Sequence, residues 1–217
     1  MFLGHYGVGF GAKKFVPNVS LGTLFIAAQF LDLLWPTLLL LGIERVQIVP
    51  GVTRVTPLLF EHYPISHSLL AVIGWGILIG GVYYYLKRSR FAALVIGFLV
   101  VSHWLLDTIV HRPDLPLYPG SNILIGFNAW SSLPLTLVIE LSLFVLGVWL
   151  YLHTTVATDN KGKWGVVILV LFLLLVYLAS VFGSPPPSSE AIAWVGQSQW
   201  LIVLWGYWLD RHRRSRL

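Results

Sequence analysis

Six apolar runs constrain this chain more than any other feature of its sequence. About twenty apolar residues in a helix cross the hydrocarbon core of a bilayer, and each run has that length or nearly so. The 217 residues are 57% hydrophobic and 11% charged, whereas a soluble domain carries about 25% charged residues. The chain is therefore an integral membrane protein. The runs cover residues 19–41, 67–86, 91–110, 133–152, 164–182 and 191–209.

These runs predict an all-α fold, a polytopic membrane helix bundle that forms one domain over residues 1–217. Six spans occupy 19–209, a short re-entrant half-helix lies within 1–14, and 210–217 form a basic cytoplasmic tail. A helix from residue 3 to 13 is only ~16 Å long. If it runs antiparallel to the first span, its N-terminus is buried in the bundle, where its positive dipole end favours an anion.

The basic residues predict the orientation of the bundle. Eleven of the 14 lysines and arginines fall on one side of six alternating spans, and only Arg45, Arg54 and Arg112 fall on the other. The positive-inside rule makes the first side cytoplasmic. The net charge of +5 therefore reflects topology, and we expect the C-terminal tail to contact anionic membrane lipids. No nucleic-acid partner is expected.

The densest group of polar residues ends the third run, in the segment SHWLLDTIVHRPD of residues 102–114. His103, Asp107 and His111 are spaced i, i+4, i+8, which places them on nearly one face of a helix. Two imidazoles and a carboxylate on one stripe suit a divalent metal such as Zn²⁺. A helix end with histidines satisfied at the membrane interface would give the same pattern.

Other polar residues fall on the same, outer side of the predicted bundle. Asp32 and Glu140 lie deep in apolar runs, where ionisable groups are costly and are candidates for function. The chain has no cysteine, so only imidazole and oxygen ligands are available, which favours Zn²⁺, with Mn²⁺ or a similar ion as an alternative. Six or more ligands suffice for one or two ions per chain. The converging residues are His5, Asp32, His62, His67, His103, Asp107, His111 and Glu140.

The order of these residues resembles a known family, the bacterial inner-membrane proteins described as predicted membrane-bound, metal-dependent hydrolases. The matching residues are His5, Asp32 in DLLWP, His67 in HYPISHSLL, and His103 with Asp107. The resemblance covers roughly residues 1–140. It implies a bacterial cytoplasmic (inner) membrane location and a metal-dependent hydrolase activity.

Two further comparisons of ligand order bear on the metal count. In the family a second acidic or histidine residue follows the aspartate, whereas Leu33, Leu34 and Trp35 follow it here, so one ion and two ions both stay open. The order of ligands is also similar to that of zinc-dependent phospholipase C enzymes. That likeness is an analogy of ligand order only and does not transfer function.

The leading hypothesis is a hydrolase at the outer membrane–water interface that cleaves an ester or phosphoester of an amphipathic, lipid-like substrate with a metal-activated water. Arg112 would pair with a phosphate or carboxylate of the substrate. The general acid or base would be His62, His111 or Glu140. The metal ligands would be His5, Asp32, His67, His103 and Asp107.

Two alternatives belong to other functional classes. Intramembrane histidines and carboxylates also mark ion or solute paths, so a transporter is an alternative, although the chain has no internal repeat and its polar groups cluster in one half. The other alternative is a structural or assembly protein that is held together by one metal ion. A closed site with four protein ligands would favour this structural role, whereas more candidate ligands than one closed site needs favour an open, reactive site.

Overall fold

The computed structural model describes residues 1–216, which are mostly helical, with three short two-stranded sheets. A 3₁₀ helix, Ala129–Ser131, lies before the sixth α-helix. The α-helices are α1 (Leu3–Ala12), α2 (Leu21–Ala28), α3 (Phe30–Leu40), α4 (Leu69–Lys87), α5 (Arg90–Val110), α6 (Leu133–Thr154), α7 (Asn160–Phe182), α8 (Ser189–Gln197) and α9 (Gln199–Asp210). The strands are β1 (Arg45–Ile48), β2 (Leu58–His62), β3 (Leu115–Pro116), β4 (Leu124–Ile125), β5 (Thr155–Ala157) and β6 (Arg213–Ser215).

The part of the chain that the structure describes has fewer spans than the six predicted. Four helices, α4 to α7, are long and apolar enough to cross a membrane, and α2 with α3 makes a fifth if the bent pair is counted as one span. The prediction of a helical membrane bundle is confirmed at this coarser level. The count of six is wrong because two predicted spans are broken.

The first predicted span bends by 59° between α2 and α3, and the break falls at Gln29. Pro36 lies inside α3, where a proline cannot donate to the carbonyl four residues before it. That carbonyl belongs to Asp32, and it accepts a hydrogen bond from the Gln199 side chain at 3.3 Å. The helix therefore continues through the proline because a side chain from α9 replaces the missing donor.

The sixth predicted span is divided at Ser198 into α8 and α9. At 1.5 Å per residue, the 12 residues of α9 extend about 18 Å, which is short of a ~30 Å hydrocarbon core. The α8 helix packs on α3 instead, where the Gln197 side chain donates to Thr37 Oγ1 at 2.7 Å. The paired helices α8 and α9 therefore form a bent element that closes one side of the bundle.

The prediction of an all-α chain overlooked three antiparallel β-hairpins or ladders, β1–β2, β3–β4 and β5–β6. The last of them includes residues that the sequence assigned to a basic tail. Arg213 is buried in β6, where its guanidinium donates to the Gly162 carbonyl at 2.9 Å and to Thr155 Oγ1 at 3.1 Å. Part of the predicted tail is thus anchored to the bundle by a buried arginine.

The half-helix α1 lies inside the bundle and is almost wholly buried. It packs backbone to backbone against α6: a Cβ added at Gly147 would lie 1.9 Å from the Gly7 carbonyl oxygen. Small residues permit such close approach between helices in membranes. This contact carries His5, near the start of α1, into the interior of the bundle.

Candidate metal centre

The side chains of four predicted ligands, together with that of His111, converge near the end of α5, around the carboxylate of Asp107. Asp107 Oδ2 lies 3.2 Å from His103 Nε2, 3.7 Å from His67 Nε2 and 4.0 Å from His111 Nε2. Asp32 Oδ1 lies 3.7 Å from the Nε2 atoms of both His67 and His103. The Asp32 side chain is 24% exposed, and that of Asp107 is 2% exposed, so one side of the cluster is open.

Two overlapping sets of residues in this cluster have ligand atoms within 4.8 Å of one another. Asp32, His67 and His103 form one set, and His5, His103 and Asp107 form the other. His103 belongs to both sets. Imidazole nitrogens and carboxylate oxygens at such separations are a suitable donor set for Zn²⁺ or a similar divalent ion.

The tautomer of His103 is fixed by a backbone carbonyl. Its Nδ1 lies 2.8 Å from the Ala28 carbonyl oxygen, which can only accept, so Nδ1 carries the proton. When the ring is neutral, its Nε2 lone pair faces the carboxylate oxygens of Asp32 and Asp107, and Nε2 makes no well-directed hydrogen bond to residues 1–216. Lone pairs that face one another are stabilised by a cation between them, so the residues present fit a metal ion.

His67 is oriented by a chain of hydrogen bonds outside the cluster. Its Nδ1 lies 2.7 Å from Ser66 Oγ, and the Ser66 hydroxyl donates to Glu44 Oε2 at 2.5 Å. Burial lowers the pKa of His67 well below its ordinary value, although the Asp107 carboxylate opposes the shift. A neutral ring with a protonated Nδ1 leaves the Nε2 lone pair directed at the two carboxylates.

His111 has an equivalent partner on its outer side. Its Nδ1 lies 3.0 Å from Asp114 Oδ1, and the same oxygen accepts the hydroxyl of Tyr63 at 2.9 Å. The ring also packs on Trp130, with 4.3 Å between ring centroids. His111 Nε2 is thereby held toward the open side of the cluster, next to Asp107.

The second oxygen of Asp107 has a different set of neighbours. Oδ1 accepts from the α-amino group of Met1 at 2.6 Å and lies 3.0 Å from His5 Nε2. The ring of His5 stacks on that of His103, with centroids 3.5 Å apart and planes inclined by 12°. The two oxygens of Asp107 therefore face different groups. Oδ1 faces Met1 and His5, and Oδ2 faces His67, His103 and His111.

Glu140 lies on α6 beside the cluster and is buried. Its Oε2 accepts the backbone N–H groups of Phe2 at 2.8 Å and Gly4 at 3.3 Å. Glu140 is thus the anion at the positive end of the half-helix, where the helix dipole favours one. Glu140 therefore positions α1, and its role as general acid or base stays a prediction.

Two of the predicted catalytic residues are not brought to the cluster. His62 is exposed at the end of β2, opposite Arg45 in the hairpin. Arg112 follows α5 and is half-buried, but it is not among the residues that line the cavity beside the cluster. Both predictions assumed that residues near the outer ends of spans point inward, whereas His62 lies in the strand β2 and Arg112 lies beyond the C-cap residue of α5.

A cavity of about 630 Å³ opens directly onto the cluster. Asp32, His67, Asp107 and His111 form one end of its lining. Most of the remaining wall is apolar, and it continues between α7, α8 and α9. The donor set therefore faces a space large enough for part of a lipid-sized molecule, as ligand pockets of about 300–1,000 Å³ are.

A comparison with models of protein families gives a match over most of the chain. The family model described as YdjM inner membrane protein matches residues 6–185. The chain belongs to the YdjM inner membrane protein family. None of the curated proteins and none of the solved structures matches it. The matched range includes Asp32, His67, His103 and Asp107, and the family supports a location in the bacterial inner membrane.

The sequence interpretation missed the residues that orient the histidines. Glu44, Ser66 and Asp114 lie in loops, where side-chain directions do not follow a helical or strand period. Two local signals point to them. Ser66 directly precedes His67, and Asp114 follows His111 by three residues, so each is within hydrogen-bonding reach of its histidine.

Glu44→Gln is expected to weaken metal binding about 10- to 100-fold, as loss of an orienting partner does. Glutamine keeps an oxygen for the N–H groups of Ile65 and Ser66, but its amide group cannot accept the Ser66 hydroxyl. Metal affinity would be measured by competition with a chelating dye. Glu61→Gln, on the exposed β2, is the control, and equal affinities in the two variants would show that Glu44 does not act through His67.

Proposed function

We propose that the chain is a membrane-embedded, metal-dependent hydrolase that cleaves an ester or phosphoester of an amphipathic, lipid-like substrate. The observation that carries this proposal is the preorganised donor set. Asp32, His67, His103 and Asp107 direct their ligand atoms at one another, and the outer nitrogen of each histidine is held by another group.

These four residues would hold the metal, with His5 and His111 adjacent to it. Zn²⁺ suits the donor set best, and Mn²⁺ is an alternative. Asp107 presents one oxygen to each side of the cluster, Oδ1 to His5 and Oδ2 to His103, so it would belong to the donor set for one ion or for two. When bound, such an ion supplies Lewis acidity that makes water nucleophilic near neutral pH.

The chain's own residues would position the reaction. In hydrolysis the water oxygen bonds to the phosphorus or carbonyl carbon and gives up a proton, the bond to the leaving oxygen breaks, and the leaving oxygen takes up a proton. His111 is placed to transfer that proton because its Nδ1 is held by Asp114 and its Nε2 is 4.0 Å from Asp107. Trp130 and Phe60 shield the ring of His111 from bulk water.

The site would face the extracytoplasmic side. The cluster lies where α5 ends, and α7 ends beside the same cavity at Tyr177 and Val181. The basic residues lie at the opposite helix ends, for example Lys87 at the end of α4 and Arg90 at the start of α5. The positive-inside rule places those ends in the cytoplasm.

The test is product release from lipid phosphoesters and carboxylic esters by the purified full-length protein, with and without chelation and Zn²⁺ or Mn²⁺ repletion. The proposal predicts turnover that chelation abolishes and the metal restores. Turnover that is absent with every lipid and metal, combined with ion flux in proteoliposomes, would overturn the proposal and favour the transporter alternative.

A further inference from the structure

The cavity beside the cluster extends away from the candidate ligands into an apolar compartment. The walls of this compartment come from α7, α8 and α9, including Phe172, Val176, Ile192 and Trp205. A metal site alone does not require this volume. The compartment therefore points to a ligand with a large apolar part that lies beside the reacting group.

Three residues of the cavity wall each carry a buried hydrogen-bond donor that has no acceptor among residues 1–216. The donors are Tyr177 Oη, Trp205 Nε1 and Trp35 Nε1. Tyr177 is only 2% exposed and Trp35 only 8% exposed. Buried donors are normally paired, so unpaired donors on three residues of one cavity wall favour a ligand that carries acceptor oxygens.

The charges of the wall restrict the type of acceptor. Asp32, Asp107 and Glu140 line the cavity, and no lysine or arginine side chain of the described residues does; Met1 also lines it, and its α-amino group is paired with Asp107 at 2.6 Å. An anionic group held away from the metal ligands would be repelled by these carboxylates. Uncharged acceptors embedded in an apolar group, such as the carbonyl oxygens of acyl esters, fit both the donors and the wall.

We propose that the compartment binds the ester-linked acyl chains of a glycerophospholipid, with Tyr177 and Trp205 donating to ester carbonyl oxygens. This inference rests on the proposed function, because the head group would then lie at the metal centre. It names the substrate class: an acyl-ester phospholipid rather than a polyprenyl phosphate, which has no carbonyl groups.

A groove on the outside of the bundle would hold the acyl chains beyond the cavity. It runs between α7 and α9, is lined by Ile168 and Trp208, and shares Leu201 and Trp205 with the cavity. From Tyr177 to Ile168 the α7 helix rises about 14 Å. That is about half of the ~30 Å hydrocarbon core, the depth that the acyl chains of one leaflet occupy.

The test compares three lipid probes on the full-length protein by native mass spectrometry. The probes are dioleoyl phosphatidylglycerol, its dialkyl-ether analogue and a polyprenyl phosphate. We expect the ester lipid to bind at least about fivefold more tightly than the ether analogue, since one hydrogen bond contributes about that factor. Equal binding of the ester and ether lipids, or preferred binding of the polyprenyl phosphate, would overturn the inference.

Point variants test the assigned donors. Tyr177→Phe and Trp205→Phe each remove one donor and keep an aromatic ring, and each should reduce the preference for the ester by about fivefold. Tyr207→Phe is the matched control, because its hydroxyl contacts Thr23 Oγ1 outside the cavity. A full ester preference in both donor variants, with unchanged elution on size exclusion, would contradict the assignment.

One more variant distinguishes a failure of this inference from a failure of the proposed function. His103→Ala should lose metal and hydrolysis but keep the preference for the ester lipid. Hydrolysis by the wild type without an ester preference would refute the lipid assignment alone. An ester preference in a protein that binds no metal would refute the hydrolase and leave the lipid site standing.

Discussion

Purified His103→Ala is expected to contain less than about a tenth of the metal found in the wild type, which should carry one or two ions per chain. His103 belongs to both ligand sets, so its loss removes a nitrogen from each. Asp107→Asn should have the same effect, because the neutral amide lacks the negative charge that attracts the metal ion. Elemental analysis of protein purified without chelator measures both losses.

The loss of metal should be this large because the candidate histidine ligands are held in place by hydrogen-bond partners. The imidazole of His103 is held by the Ala28 carbonyl, so its Nε2 is presented without further loss of side-chain freedom. Alanine leaves the carboxylates of Asp32 and Asp107 facing each other, and the remaining ligands cannot compensate. Removing a ligand therefore costs more than removing an orienting partner, for which the loss is about 10- to 100-fold.

His153→Ala is the control for this prediction. His153 is exposed at the opposite end of α6, and its ring bonds only to the Trp149 carbonyl of its own helix, within the described residues. Its metal content should equal that of the wild type. Wild-type metal content in His103→Ala, or no metal uptake by the wild type when Zn²⁺ or Mn²⁺ is added, would refute the metal centre.

The convergence of the candidate ligands was predictable because it depends on which ends of the spans share a side. His103 and Asp107 are one helical turn apart on α5, and His67 lies just before α4, which runs antiparallel to α5. Periodicity and alternation of the spans therefore sufficed to bring these three together. The buried position of His5 followed from the short length of α1 and its glycines.

The break at Gln29 was not predictable, because no local signal marks it. Nothing in the residues around Gln29 forbids a helix, and the bend there leaves the Ala28 carbonyl as the acceptor for His103. The proline that does signal a break is compensated by Gln199, more than 160 residues later in the chain. In both cases tertiary hydrogen bonds decide the outcome over local propensity.

A second large effect is expected where α1 meets α6. Gly147→Leu should lower the stability of the protein by at least about 3 kcal/mol, the upper part of the range for overpacking. A Cβ at position 147 would lie 1.9 Å from the Gly7 carbonyl oxygen and 2.5 Å from its carbon. These atoms are backbone, so the clash cannot be relieved by rotating a side chain, and the two helices must separate.

Separation of α1 from α6 has consequences at the metal centre. The N–H groups of Phe2 and Gly4 would leave Glu140, and His5 would leave Asp107. We therefore expect Gly147→Leu to lose metal as well as stability, with a thermal midpoint about 6–12 °C below that of the wild type. Thermal unfolding in detergent and elemental analysis of the same sample measure the two effects.

Gly74→Leu is the matched control, because a Cβ at Gly74 would meet nothing within 4 Å. Leucine favours a helix over glycine by about 1 kcal/mol, so this variant should be as stable as the wild type or slightly more stable. If Gly147→Leu unfolded at the wild-type temperature and kept its metal, α1 would not be held against α6. The contribution of His5 to the cluster would then lose its support, because this contact is what carries the half-helix into the bundle.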